Sequence, residues 1–412
     1  MRFQPPNVVA IVRHPHQHPL ELSYLNGFSY GIGMSMLSLL VPLYIIRLGF
    51  SLADMGLVVS SAAVFMIVLR LLGGAVSDRF GERVVLWFSF ATLVGCALVF
   101  VVSETILPFI VAQVFNGMSR AVYWSAGQSY TSRSSEGDSH HTQGRLLSFE
   151  SSGGILGVLI GGAVAEVAGF PAAFMAAAAV NVVGIFTTLA QPALPRKDQV
   201  RSIRATLAPA RRLLVQKSMG LGHYAAIMSA AHAALVGSLF AAFFVDIGYG
   251  DATVSLMRGL NSVGVVLVAY PFGALLAIIG TRNMAVAGLV MIGAVTALMT
   301  LTADVPFAPG VFMLLGGVAF GSLRSLYPVV AAQNSTPQER GQAMAVVGLY
   351  WAVGMLIVPF AFGLIGDAIG IRPTLYLFSG IAVSAALLTP LLAYWWRDQP
   401  TVGAIRAPRA PR

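Results

Sequence analysis

The sequence predicts an all-α membrane protein, with twelve transmembrane helices in two pseudo-symmetric six-helix bundles. Three observations carry that prediction. Hydrophobic residues make up 57% of the 412-residue chain and charged residues only 10%, against roughly 25% charge in a soluble domain. Apolar runs of membrane-crossing length recur from one end of the chain to the other. A short polar stretch of the first half then returns, worn but in register, 199 residues later.

Taken in order, the apolar runs are 22–46, 53–77, 84–102, 106–130, 144–168, 171–191, 219–245, 252–276, 282–302, 308–331, 341–367 and 374–396. None shows the alternation of a barrel strand, and open strands cannot satisfy their backbone in lipid, so each reads as a helix. Twelve is even, so both termini share one side. Loops and tails on that side hold 19 Arg and Lys, while the opposite loops hold only Arg47 and Arg372. Positive charge gathers on the inner face, which predicts cytoplasmic termini and an inner (plasma) membrane location.

The expected organisation is a tail 1–20, a bundle 21–191, a basic connector 192–217, a second bundle 218–396 and a tail 397–412. The connector carries Arg196, Lys197, Arg201, Arg204, Arg211, Arg212 and Lys217. Val200, Ile203, Leu207 and Leu214 fall at helical spacing within it. That pattern predicts an amphipathic helix on the anionic inner leaflet; a disordered basic linker is the alternative.

The stretch that returns is Gly73 through Arg83. Four charges in the six residues from Asp78 to Arg83 cannot lie in hydrocarbon, and Gly81 supplies a tight turn, so this is an interfacial loop. Gly74, Gly81 and Arg83 match Gly273, Gly280 and Arg282, while Ala277 stands where Asp78 stood. Arg47-Leu48-Gly49-Phe50 parallels Asp246-Ile247-Gly248-Tyr249, and Glu166 through Gly169 parallels Asp367 through Gly370. Gly117 to Tyr123 parallels Gly321 to Tyr327. The chain is a duplication. Two parallel halves related by an axis along the membrane normal place a path between them.

Several classes are excluded. The net charge of +9 is not gathered into a basic, aromatic-rich stripe on a polar domain, so nucleic acid is not a partner. Cys96 is alone and lies in an apolar run, which rules out disulfides. His14, His16, His18, His140 and His141 form short clusters, but Pro15 and Pro19 prevent a helix and no carboxylate or Cys completes a metal site. There is no Gly-rich phosphate loop with Lys and no catalytic motif, so neither a cofactor nor an enzyme is expected.

The loop residues Gly74, Asp78, Arg79, Gly81 and Arg83 resemble the signature between helices 2 and 3 of the major facilitator superfamily. The resemblance extends, with twelve spans and a basic connector, over essentially the whole chain. It implies a transporter in which Asp78 and Arg83 hold neighbouring helices on the cytoplasmic side and bias the outward-open state. In helix 5, Gly153, Gly157, Gly161 and Gly162 resemble the glycine motif of drug:proton antiporters, with Val158 where a proline usually stands. Glycines four apart also make a smooth packing face, so the motif reads equally as packing.

A charge at mid-membrane costs roughly 2.5–3.5 kcal/mol, so each needs a reason. Arg120 and Arg324 lie near the middle of helices 4 and 10, and the duplication sets them at one depth. Gln113, Asn116 and Tyr123 share the face of Arg120. With Tyr327 they form the expected substrate-binding set, the guanidiniums facing an anionic group. In the alternative, both arginines bond backbone carbonyls or Tyr hydroxyls and only hold helices together. Glu150, the one acid well inside the membrane, is the expected proton carrier and a partner for Arg120; Trp351 occupies its position in the second half. His232 is the rival carrier. Arg70 and Arg258 lie toward helix ends, within snorkelling reach of the interface, and receive no role. The resulting expectation is a monomeric, lipid-embedded secondary transporter that exports a small organic anion or amphipathic solute in exchange for protons. A facilitator or importer on the same fold and a non-transporting sensor remain open.

Overall fold

In a computed structural model, which describes residues 18–70, 73–135, 139–194, 210–336 and 339–396, the described residues form helices and the turns between them. Helix α1 spans Pro19–Arg47. Helix α2 runs as Leu52–Arg70 and then Gly73–Phe80. Helices α3 and α4 are Glu82–Val102 and Ile106–Ser134. The helical stretch Ser139–Ala190 is interrupted by Gly169, at φ 83° and ψ 168°, and is therefore two helices, α5 (139–168) and α6 (170–190). In the second half, α7 is Gly220–Val236 plus Leu239–Asp246, and α8 is Asp251–Ala269 plus Phe272–Ile279. Helices α9 to α12 are Thr281–Leu301, Ala308–Gln333, Arg340–Ile369 and Ile371–Trp395.

Among the described residues, ten helical stretches are long and apolar enough to cross a bilayer, one of them being α5 and α6 read through. Helix α4 falls short of that apolarity, since Gln113, Asn116 and Arg120 interrupt it. Helix α7, expected to be continuous over 219–245, breaks at Gly237 and Ser238. Helix α8 breaks before Phe272, where Pro271 has no N–H to give the ladder. The connector residues 195–209, with most of the expected amphipathic helix, lie outside the described residues, as do the tails 1–17 and 397–412. Within the connector, Leu213 is buried against the second bundle.

The duplication is visible in the backbone. Among the described residues the glycines with positive φ come in repeat-related pairs: Gly49 with Gly248, Gly81 with Gly280, and Gly169 with Gly370. Each pair makes the same tight turn between consecutive helices, a conformation that only glycine adopts without strain.

The halves are joined toward the face opposite the termini, here called distal. A Cβ on Gly162 of α5 would overlap the Ser255 side chain of α8, and one on Gly363 of α11 would overlap the Leu52 carbonyl of α2. Four residues on from each glycine stands a carboxylate. Glu166 Oε2 accepts from the Ala252 N–H (2.6 Å), and the Asp367 oxygens accept from the Leu52 and Ala53 N–H groups (2.9 Å each). Both acceptors sit where orphan N–H donors and the positive end of a helix dipole meet them. Arg47 adds an ion pair to Asp251 (2.8 Å) and a bond to the Tyr249 carbonyl.

Candidate functional site

Between the halves lies a cavity of about 300 Å³. Its polar lining comes from α1 (Ser35, Ser38), α4 (Gln113, Asn116, Arg120), α5 (Glu150), α8 (Arg258) and α10 (Arg324, Tyr327). Broken helix α7 contributes Gly237, and α11 contributes Trp351. Backbone irregularity at membrane depth is tolerated where it lines such a hollow.

The structure brings together most of the residues singled out in the sequence. Arg120, Arg324, Gln113, Asn116, Tyr327 and Glu150 all line this one space. Asn116 Nδ2 donates to Gln113 Oε1 (2.9 Å), so the two amides support each other on α4, and Asn116 Oδ1 is buried with no partner among the described residues. The Arg120 guanidinium stands over the Trp351 ring at 5.4 Å, from one half to the other. Charge on Arg324, again from the opposite half, acts on the Glu150 carboxylate. Glu150 and Arg120, expected as partners along one bundle, line the same space, and Arg324 brings a second guanidinium into it from the opposite half. Of the repeat-related positions 150 and 351, Trp351 stands against the arginine of the other half, and Glu150 shares the cavity wall with both arginines.

Two expected residues stand elsewhere. Tyr123 is buried, stacked flat on Tyr30 with its edge to Phe90, and lines a separate pocket of about 190 Å³ between α4 and α5. Glu150 and Trp124 line both hollows. His232 is 0% exposed inside the second bundle, its ring against Phe240 and Phe320, and it does not line the cavity.

Arg258 corrects the sequence reading. It does not snorkel: it lines the cavity, and its guanidinium donates to the Ser38 carbonyl (2.6 Å) and Ser38 Oγ (2.9 Å) on α1. The signal was present as Pro42, four residues beyond Ser38, which withholds the N–H that would otherwise occupy that carbonyl.

At the interfacial loop, Gly74 lies in the short helix Gly73–Phe80, and Gly81 makes the turn at φ 85°. Arg79 is exposed and lies over the Phe80 ring at 5.7 Å. Arg83 donates to the Leu189 carbonyl at the end of α6, within its own bundle. The side chain of Asp78 lies outside the described residues. Sequence reasoning missed Glu82, which is 4% exposed and accepts from Arg133 (2.7 Å) and Ser129 (2.8 Å). Replacing Glu82 with Ala removes both of these bonds at the C-terminal end of α4, and thermal unfolding in detergent should show a loss of roughly 1–3 kcal/mol.

In the α5 row, Cβ atoms on Gly153 and Gly157 would overlap the backbone of α1, at Phe28 and Ile32. Close packing accounts for those two glycines without any exchange chemistry.

Twelve helices in two repeat-related bundles around a polar hollow define a multi-pass membrane transporter. The family model for the Major Facilitator Superfamily matches residues 23–245 and 222–411, and the chain belongs to that superfamily. It is 25% identical over 178 residues to the staphyloferrin B transporter of Staphylococcus aureus (strain NCTC 8325 / PS 47), covering 41% of this chain and 42% of that protein. It is 25% identical over 148 residues to the quinolone resistance protein NorA of Staphylococcus aureus (strain MRSA252), covering 35% and 37%. These matches span well under half of the relatives' own lengths. Among solved structures, the nucleoside transporter NupG superposes with a TM-score of 0.74 at 17% identity, over 92% of this chain and 98% of that one. A POT family transporter in complex with 5-aminolevulinic acid superposes at 0.70 with 12% identity, over 92% and 96%. At these identities the likeness is one of fold.

Proposed function

We propose that this transporter exports a small organic anion or amphipathic solute across the inner membrane in exchange for protons. Residues 21–191 rock against 218–396, and the termini are cytoplasmic. One observation carries the reading: among the described residues, a cavity built from both halves presents three guanidiniums and a single carboxylate, Glu150. Such a space attracts an anion, and planar guanidiniums suit carboxylate or phosphate geometry. Trp124, Trp351 and Tyr327 supply apolar and aromatic surface for the rest of the cargo. The excess of 19 basic residues over 2 supports the orientation. A link to export comes from the partial likeness to NorA, named for quinolone resistance. With the termini cytoplasmic, this reading takes the distal junction as that of the inward-facing state.

Glu150 is the proton carrier in this reading, since it lies in the cavity and feels the charge of Arg324. A facilitator is the second reading, favoured because packing accounts for Gly153 and Gly157 of the antiporter-like row. Transport by reconstituted protein, with and without a pH gradient, separates the two. Glu150→Gln should uncouple flux from the gradient while preserving substrate exchange. A variant that keeps the normal pH dependence removes Glu150 from the mechanism.

A further inference from the structure

Arg258 holds the two halves together inside the cavity itself. Its fork is occupied by the Ser38 carbonyl and hydroxyl, on a helix of the opposite bundle. That carbonyl is open because Pro42 cannot serve it, and an unserved carbonyl in the membrane interior costs several kcal/mol by order of magnitude. The contact is therefore a built one: a proline exposes an acceptor and an arginine from across the divide answers it.

A second observation points to a ligand. The Arg120 and Arg258 guanidiniums, from opposite halves, line the same space of about 300 Å³. Like charges facing a common hollow repel, and an anion between them relieves the repulsion. A carboxylate or phosphate oxygen is also a stronger acceptor for a guanidinium than a neutral carbonyl is. An acidic group arriving beside Arg120 thus competes with Ser38 for the Nη1 and Nη2 donors.

We infer that Arg258 is a specificity-determining residue that converts arrival of the cargo's acidic group into release of the distal closure. With Arg120 it grips the anion, and in doing so it lets go of Ser38 and frees α8 from α1. Helix α8 is the element whose first turn is gripped by Glu166 at Ala252 and by Arg47 at Asp251. Once Arg258 has left Ser38, α8 is tied to the first half by these distal contacts and by its packing on α5 at Gly162 and Leu159, and rocking becomes easier. A neutral molecule of the same shape fills the cavity without taking the fork, so it leaves the halves joined. The inference rests on the organic-anion reading and adds which group of the cargo opens the far side.

The test uses the full chain in proteoliposomes, with Cys96→Ser and a single reporter, Val41→Cys, at the buried distal end of the cavity. A membrane-impermeant maleimide is applied from the distal face. The probes are phthalate and phenylphosphonate, with phthalamide as the neutral counterpart. Both anions should speed labelling at least about fivefold, and phthalamide should not. Arg258→Gln should label fast without ligand, respond to none of the three, and bind phthalate roughly tenfold or more weakly, as loss of charge-assisted bonds implies. Arg258→Lys keeps the charge without the fork: it should label fast and bind with intermediate affinity. Should the Gln variant fail to fold, Pro42→Ala gives the Ser38 carbonyl an N–H of its own helix. It should raise basal labelling and leave phthalate affinity equal or tighter. Anions that label no faster than phthalamide overturn the inference, as does wild-type affinity and response in Arg258→Gln. If Arg120→Gln and Arg324→Gln also bind phthalate normally, or no anion binds the parent protein, the organic-anion reading itself falls.

Discussion

Replacing Gly363 with Leu is expected to hold the transporter open at the distal face and cut turnover by up to roughly a hundredfold. The side chain has nowhere to go in the distally joined state, where the first atom of it would overlap the backbone oxygen of Leu52 across the divide. Overpacking of this kind costs up to about 3 kcal/mol, which is about a hundredfold in the ratio of two states. The effect is selective because rocking apart at the distal end removes the obstacle. The variant should stay folded and monodisperse while labelling readily from the distal side. Gly380→Leu is the matched control: Gly380 is exposed, and nothing stands within 4 Å of its added Cβ. Normal turnover in Gly363→Leu would show that the α2–α11 contact is not part of the cycle.

The second large effect is expected at Arg324. Replaced by Gln, it should weaken binding of an anionic substrate roughly thirtyfold or more, the scale for truncating one partner of a desolvated charge pair. Binding followed by Trp fluorescence has two reporters in the cavity wall, Trp124 and Trp351. The fold should not suffer, since Arg324 lines open space. Retained affinity would remove Arg324 from the site and leave it a helix-packing residue. A measurement in the Glu150→Gln background separates substrate binding from the electrostatic pull between Glu150 and Arg324.

Much of this was legible in the chain. Membrane-crossing runs, the even span count and the repeat can be read from apolar length and from Gly-containing turns, because those signals are local. The cavity residues of α4 and α10 were legible because charge at mid-membrane demands an explanation. Contacts made across the divide were not. Glu166 and Asp367 were recognised only as matching positions; their use as caps depends on which helix end of the other half lies opposite. Arg258 was read by its distance from a helix end, whereas its fate was set by Pro42 in another helix. The break at Gly237 and Ser238 hides inside an apolar run with no proline to mark it. His232 sits on an α7 face turned into its own bundle, and one sequence does not tell that face from the cavity face.

The distal junction has a further consequence. Position 162 with 166 on one half meets the start of α8, and position 363 with 367 on the other meets the start of α2. A contact that each partner returns in kind is isologous, the pattern of a two-fold homodimer. A single six-helix polypeptide bearing one small residue and one acid at this spacing closes on its own copy without any new surface. Fusion into one chain lets the two sides diverge, and they have: one side now uses Glu on a single amide, the other Asp on two.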